Sequence, residues 1–277
     1  MSRVIRNPMI LKELRQRLRE RRAWLLPTLY LLTVSGTVCF SYYASTAMQA
    51  ANRPRPMQGA EIGIALFLTA VITQLALLLL MAPIFSAGSL TIEKEQRTFA
   101  GLLTSLLSAP QIWWGKFVAA FLYLLLLLLS ALPLLAISFA FGGVEVRDLL
   151  VAVGSTILVL ASISAVGLWC SSVFRRSVHS TAASYAIVLV LSVVTLVVFA
   201  IWSDHWRTAG GNFSQPYPQY IQAPLWLNPF YPFISFLNEY AAGKLDSPLS
   251  SWLLYAALGC LAAAFAIRNI QRAGEQL

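Results

Sequence analysis

The chain has 277 residues, 58% of them hydrophobic and 11% charged, with a mean hydropathy of +0.70 and a net charge of +9. A soluble domain carries about 25% charged residues and about 45–50% apolar ones, so an ordinary soluble domain is excluded and an integral membrane protein is indicated. The basic balance follows from membrane topology and contact with anionic lipid, and gives no reason to invoke nucleic acid.

At the start of the chain, Asn7-Pro8 reads as a helix start, with Asn as N-cap and Pro in the first turn. Ile10, Leu11, Leu14 and Leu18 then share one face at helical spacing, while Lys12, Arg15 and Arg19 fall on the other. The spacing predicts an amphipathic helix over 7–22 lying flat at the membrane surface. The basic tail and the apolar stretch behind it are both longer than a cleavable leader requires.

Six uncharged stretches follow, at 24–43, 62–89, 117–141, 149–173, 182–202 and 249–267. A hydrocarbon core of about 30 Å needs roughly 20 apolar residues in a helix. A membrane β-barrel would alternate apolar and polar residues, and the unbroken leucine run from Leu124 to Leu129 does not. The expected fold is therefore all-α, with six transmembrane helices preceded by the interfacial helix. Pro83 is expected to kink the long second span, and Pro133 sits late in the third. Small residues enrich the fourth and sixth spans, which predicts that these two pack inside the bundle; the leucine run is expected to face lipid.

Between spans two and three, 90–116 reads "LTIEKEQRTFAGLLTSLLSAPQIWWGK". A charged run, Glu93 to Arg97, is followed by an apolar helical face of Phe99, Leu102, Leu103, Leu106 and Leu107. Ser108-Ala109-Pro110 then ends that face, and a second short helix is expected through Trp113-Trp114 to Lys116. From the residues alone this segment is equally a docking element or an ordinary interfacial connector. The segment 203–248 is expected on the opposite side, folding back on the membrane with a short helix around 233–240.

Fifteen of the 20 basic residues fall on the side of the N-terminal tail, which predicts both termini in the cytoplasm. Cys39, Cys170 and Cys260 lie on different spans without ligand spacing and are expected as buried thiols; no metal site is expected.

The spans lack the Asp, Glu, His or Lys that ion-coupled transporters use; His179, at the start of span five, is the nearest candidate. No HExxH, no Gly-x-Ser-Gly and no Gly-x-x-x-x-Gly-Lys-Ser/Thr occurs, so metalloprotease, serine intramembrane protease and P-loop ATPase readings fail. Uphill movement, if this chain performs it, draws energy from another chain. The uncharged spans favour lipid-like, apolar or polymeric cargo over small ions.

The loop after span two resembles that of ABC-2 type transporter permeases. The shared pattern is an acidic-basic-acidic cluster, Thr with an aromatic, a Leu-Leu pair, a Ser-containing stop, and Gly-Lys entering span three. Glu93, Glu95, Arg97, Thr98, Phe99, Leu102, Leu103, Ser105, Leu107, Ser108, Gly115 and Lys116 carry it. Ala100 and Leu106 depart from it. The tail and first span, and "LNPFYPFISFLNEY" before the last, are similar to the family as well, so the resemblance covers nearly the whole chain.

The resemblance implies a single transmembrane domain over 1–277, a non-catalytic permease subunit of an ATP-driven transporter in the cell membrane, probing no chemistry of its own. It implies a partner permease subunit, identical or related, and a separate ABC ATPase subunit that holds ATP and Mg; this chain is expected to bind no cofactor. Export is the implied direction. Glu93, Glu95, Arg97, Thr98, Phe99, Leu102 and Leu103 are the expected docking and coupling residues, with Lys12, Leu14, Arg15 and Leu18 in the interfacial connecting helix. A membrane scaffold of the same architecture that transports nothing stays open as the alternative, and a lone channel as a weaker one.

Overall fold

The computed structural model describes residues 24–50, 59–99, 101, 108–208, 219–233 and 249–275. The interfacial helix expected over 7–22, with Lys12, Leu14, Arg15 and Leu18, lies outside the described residues, as do Leu102 and Leu103.

Among the described residues the chain is helical nearly throughout and contains no strand. Its helices are α1 (Leu25–Ala50), α2 (Gly59–Ser86), α3 (Thr91–Glu95), α4 (Ala109–Ser130), α5 (Leu132–Phe141), α6 (Val146–Val173), α7 (Ser177–Leu189), α8 (Thr195–Thr208), α9 (Gln219–Trp226) and α10 (Leu249–Glu275). Six stretches of helix are long and apolar enough to cross a membrane. α1, α2, α6 and α10 supply spans one, two, four and six. Span three is α4 with α5, and span five is α7 with α8, joined by a π-helical turn over Val190–Val194.

Spans two and four form the centre, each 56% buried in its most apolar window, whereas span five is 6% buried and span one 17%. Apolar side chains gain nothing from leaving lipid for one another, so close backbone approach and interhelical hydrogen bonds decide which spans are central. A Cβ on Gly63 of α2 would run into the backbone carbonyl of Gly142, and one on Gly167 of α6 into the Ser86 side chain. Of the two spans expected inside the bundle for their small residues, span four is central, but span six lies at its side; the two pack on each other more extensively than any other pair of helices. Along that seam the Ser162 hydroxyl donates to the Tyr255 carbonyl (2.7 Å), Trp252 Nε1 donates to Ser155 Oγ (2.9 Å), and Asn269 Nδ2 donates to Ser172 Oγ (3.1 Å). Only one side of α10 is used, since 22% of its window is buried.

Several expectations are corrected. The leucine run does not face lipid as a whole: Leu124, Leu127 and Leu128 are fully buried, while Leu126 and Leu129 are exposed. A helix turns its residues through all directions, so six leucines in a row must reach both core and lipid. Among the described residues, the short helix expected through Trp113-Trp114 to Lys116 is not separate from span three. α4 starts at Ala109, where the Ser108 backbone N–H donates to Gln111 Oε1 (2.9 Å), and Trp113 to Lys116 are its first turns. Pro133 lies one residue inside α5, just after the break at Ala131, where its missing N–H costs no helical bond. Of the cysteines only Cys170 is buried; Cys39 and Cys260 are exposed.

Span five is longer than its uncharged stretch. The 29 residues from Ser177 to His205 extend about 44 Å, beyond a core of about 30 Å, so residues expected to lie past the span are helical. The segment 203–248 between spans five and six contains α9, with most of the helix expected over 233–240 outside the described residues. Asn228, fully buried, donates from Nδ2 to the Ser192 carbonyl and to Thr195 Oγ1 (both 2.8 Å). A π-turn shifts the i to i−4 ladder and frees a carbonyl; Asn228 receives that function here, on the Ser192 oxygen. The Tyr255 hydroxyl donates to the Leu227 carbonyl (2.7 Å), and Phe233 sits in the core. The segment between spans five and six is thereby tied to both of them.

Candidate functional site

α2 ends at Ser86, and the chain turns through Gly88 into α3, a helix of five residues. A helix that short has no stability of its own, because nucleation is not repaid by propagation. Contacts from other spans hold it. Ser171 Oγ, near the end of α6, accepts hydrogen bonds from the backbone N–H groups of Leu90 (2.9 Å) and Thr91 (3.0 Å), satisfying donors that a helix start leaves open. The Ser180 hydroxyl of α7 donates to the Ala87 carbonyl (2.8 Å).

Three consecutive side chains then reach three different spans. Glu93 Oε1 accepts from Lys116 Nζ of α4 at 2.8 Å, and the same ammonium donates to the Ser89 carbonyl at 2.8 Å. Lys116 is 1% exposed and Glu93 23%, so the pair is shielded from water. Lys94 Nζ donates to the carbonyls of Ser171 (2.9 Å), Ser172 (2.6 Å) and Phe174 (3.0 Å), closing the end of α6. Its ammonium also lies 5.6 Å from the centre of the Phe99 ring, within cation–π range. Glu95 Oε1 accepts from the Ser177 backbone N–H (2.7 Å) and hydroxyl (2.9 Å), capping the start of α7. Successive helical residues are separated by about 100°, which is how three neighbours point at three spans.

Past Glu95 the chain faces outward. Gln96, Arg97 and Thr98 are exposed and Phe99 half-buried. Arg97 has φ 58°, a left-handed conformation uncommon outside Gly, Asn and Asp, and the Thr98 N–H returns to the Glu93 carbonyl at 3.0 Å. In the first turns of α4, Trp113, Phe117 and Phe121 stack in sequence at 5.0 and 5.6 Å.

Of the residues expected to form the docking element, Glu93 and Glu95 are turned onto the chain's own spans, while Arg97 and Thr98 are exposed, the Thr98 hydroxyl donating back to the Glu93 carbonyl (3.3 Å). Sequence reasoning missed Lys94, Lys116, Ser171, Ser177 and Ser180. Lys116 was visible as the last residue of the Gly-Lys pair, and the serines only as polar letters around a basic turn. His179 is exposed on α7. Among the described residues no group of His, Cys, Asp or Glu is placed to hold a metal ion.

Six apolar spans, two of them central, with a polar turn locked across the ends of spans three, four and five, define a multi-pass membrane protein. The chain belongs to the ABC-2 transporter family: the model of the family described as "ABC-2 family transporter protein" matches residues 8–268. It is a membrane transport subunit of the permease type. Comparison with curated proteins finds no match.

Proposed function

We propose that this chain is the membrane half of an ATP-driven exporter, working as a dimer with an identical or related permease and docking a separate ABC ATPase on the turn at 91–99. ATP and Mg would reside on that ATPase. Both termini and the turn would lie in the cytoplasm, with the chain in the cell (inner) membrane, as the distribution of basic residues favours. Membership of the family implies the ATPase partner.

The observation that carries the reading is the turn itself. Its inward side is fixed to spans three, four and five, and its outward side presents Gln96, Arg97 and Thr98 to whatever lies beyond the membrane. A rigid, exposed element continuous with three spans suits a contact that must hand a conformational change to the pathway. Leu102 and Leu103 would extend the contact along the loop. The scarcity of charge in the spans agrees with a membrane half that carries no coupling ion.

The test is co-purification from the native membrane in mild detergent, with partners identified by mass spectrometry. Wild-type protein is expected to bring down an ATP-binding cassette subunit, and an Arg97→Glu variant, which leaves the inward ties of Glu93 and Glu95 in place, to lose it. Intact wild-type protein that never carries an ATPase would overturn the reading in favour of a scaffold.

A further inference from the structure

The docking reading leaves open how a contact on an exposed turn reaches the pathway. We infer that Lys94 is the positioning residue through which span four, and span six behind it, answer the docked partner. The inference rests on that reading and adds a route to it.

An ammonium has three donors, and Lys94 gives its hydrogen bonds to three carbonyls at one place, the end of α6. Those carbonyls are the ones a helix end leaves without intrahelical partners, and the dipole of α6 adds attraction for a cation there. The connection runs the other way too, since Ser171 Oγ from the same helix end receives the N–H groups of Leu90 and Thr91. Each helix therefore closes an open end of the other. Neither can tilt or slide at this point without the other.

The link continues. Ser172, whose carbonyl Lys94 holds, accepts from Asn269 of α10 through its hydroxyl at 3.1 Å. α6 is also one of the two most buried spans, so movement of its end is movement of the bundle's centre. Glu93 and Glu95 provide parallel ties to α4 and α7, whereas Lys94 is the charged side chain of the three that grips the central span. The charged run thus divides by direction: Arg97 meets the partner, and Lys94 transmits.

Cys170 provides the readout, being buried in α6 next to Ser171, whereas Cys39 and Cys260 are exposed and can be replaced by serine. The complex with its co-purified ATPase is placed in lipid nanodiscs, and the rate of Cys170 labelling by N-ethylmaleimide is measured with and without ATP and vanadate. In the complex with native Lys94, trapping is expected to change that rate. Lys94→Met is expected to abolish the nucleotide-dependent change while the ATPase stays bound and hydrolyses ATP, and Lys94→Arg to restore it. Ser171→Ala, which keeps Lys94 but removes the reverse cap, is expected to weaken the response and serves if Lys94→Met does not fold. A full response in Lys94→Met, or in Ser171→Ala when Lys94→Met is lost, would overturn the inference, as would no response with native Lys94. Absence of any ATPase on the native complex would overturn the docking reading, and this assignment with it.

Discussion

The Lys116 side chain meets solvent over 1% of its surface and sits beside the Glu93 carboxylate and the Ser89 carbonyl. Taking an ion out of water costs several kcal/mol unless a partner and hydrogen bonds replace the water, so each member of the pair depends on the other. Lys116→Met, which leaves Glu93 facing a half-buried apolar site, is expected to destabilise the protein by about 3–5 kcal/mol. Lys116→Met combined with Glu93→Leu is expected to recover most of that loss, because no unpaired charge remains. Unfolding midpoints in detergent would decide it, and a double variant as unstable as the sum of the singles would contradict the pairing. None of this was legible in the sequence. A charged run shows that polarity is wanted at a place, but Glu93, Glu95 and Arg97 carry no mark of which way each side chain turns. The pairing partner lies 23 positions away, beyond the reach of any helical period.

At the scale of elements, length and hydropathy located the spans, whereas their internal breaks escaped. "VLSVV" at Val190–Val194 is ordinary helical sequence, and the π-turn there depends on Asn228, which arrives from the segment between spans five and six. Pro133 did mark a break, because a proline cannot donate in a helix interior, and the structure places it at the start of α5. Asn228→Leu is expected to leave the Ser192 carbonyl and the Phe230 N–H without their partner, at about 1–3 kcal/mol for buried groups so stranded. The expected outcome is faster amide exchange across 225–233 with the six spans intact. Unchanged exchange there would show that Asn228 does not hold that segment.

Across the whole molecule, the six-span architecture was legible because a membrane demands long uncharged helices and little else matches them. Which spans sit at the centre was legible only in α6, where small residues betrayed close approach; α10, as rich in them, packs on α6 by one side and is otherwise exposed. Span two has the same greasy composition as span five, yet is central while span five lies at the edge; in lipid an apolar side chain is equally at home on either side, so hydropathy is silent about it. The family followed from the loop, where charge, aromatic and leucine positions occur together, and the match over 8–268 agrees. Which parts of that loop turn outward and which turn onto the chain's own spans came only from the fold.

The central claim is that the turn at 91–99 is where an ATPase meets this chain. A photo-crosslinking amino acid at Arg97, activated in intact membranes, tests it most directly, with the same probe at Val146, exposed at the opposite end of α6, as control. The account predicts a crosslink from position 97 to an ATP-binding cassette subunit and none from position 146. Crosslinks from position 97 that reach only lipid or the chain itself, in membranes where the ATPase is present, would contradict it.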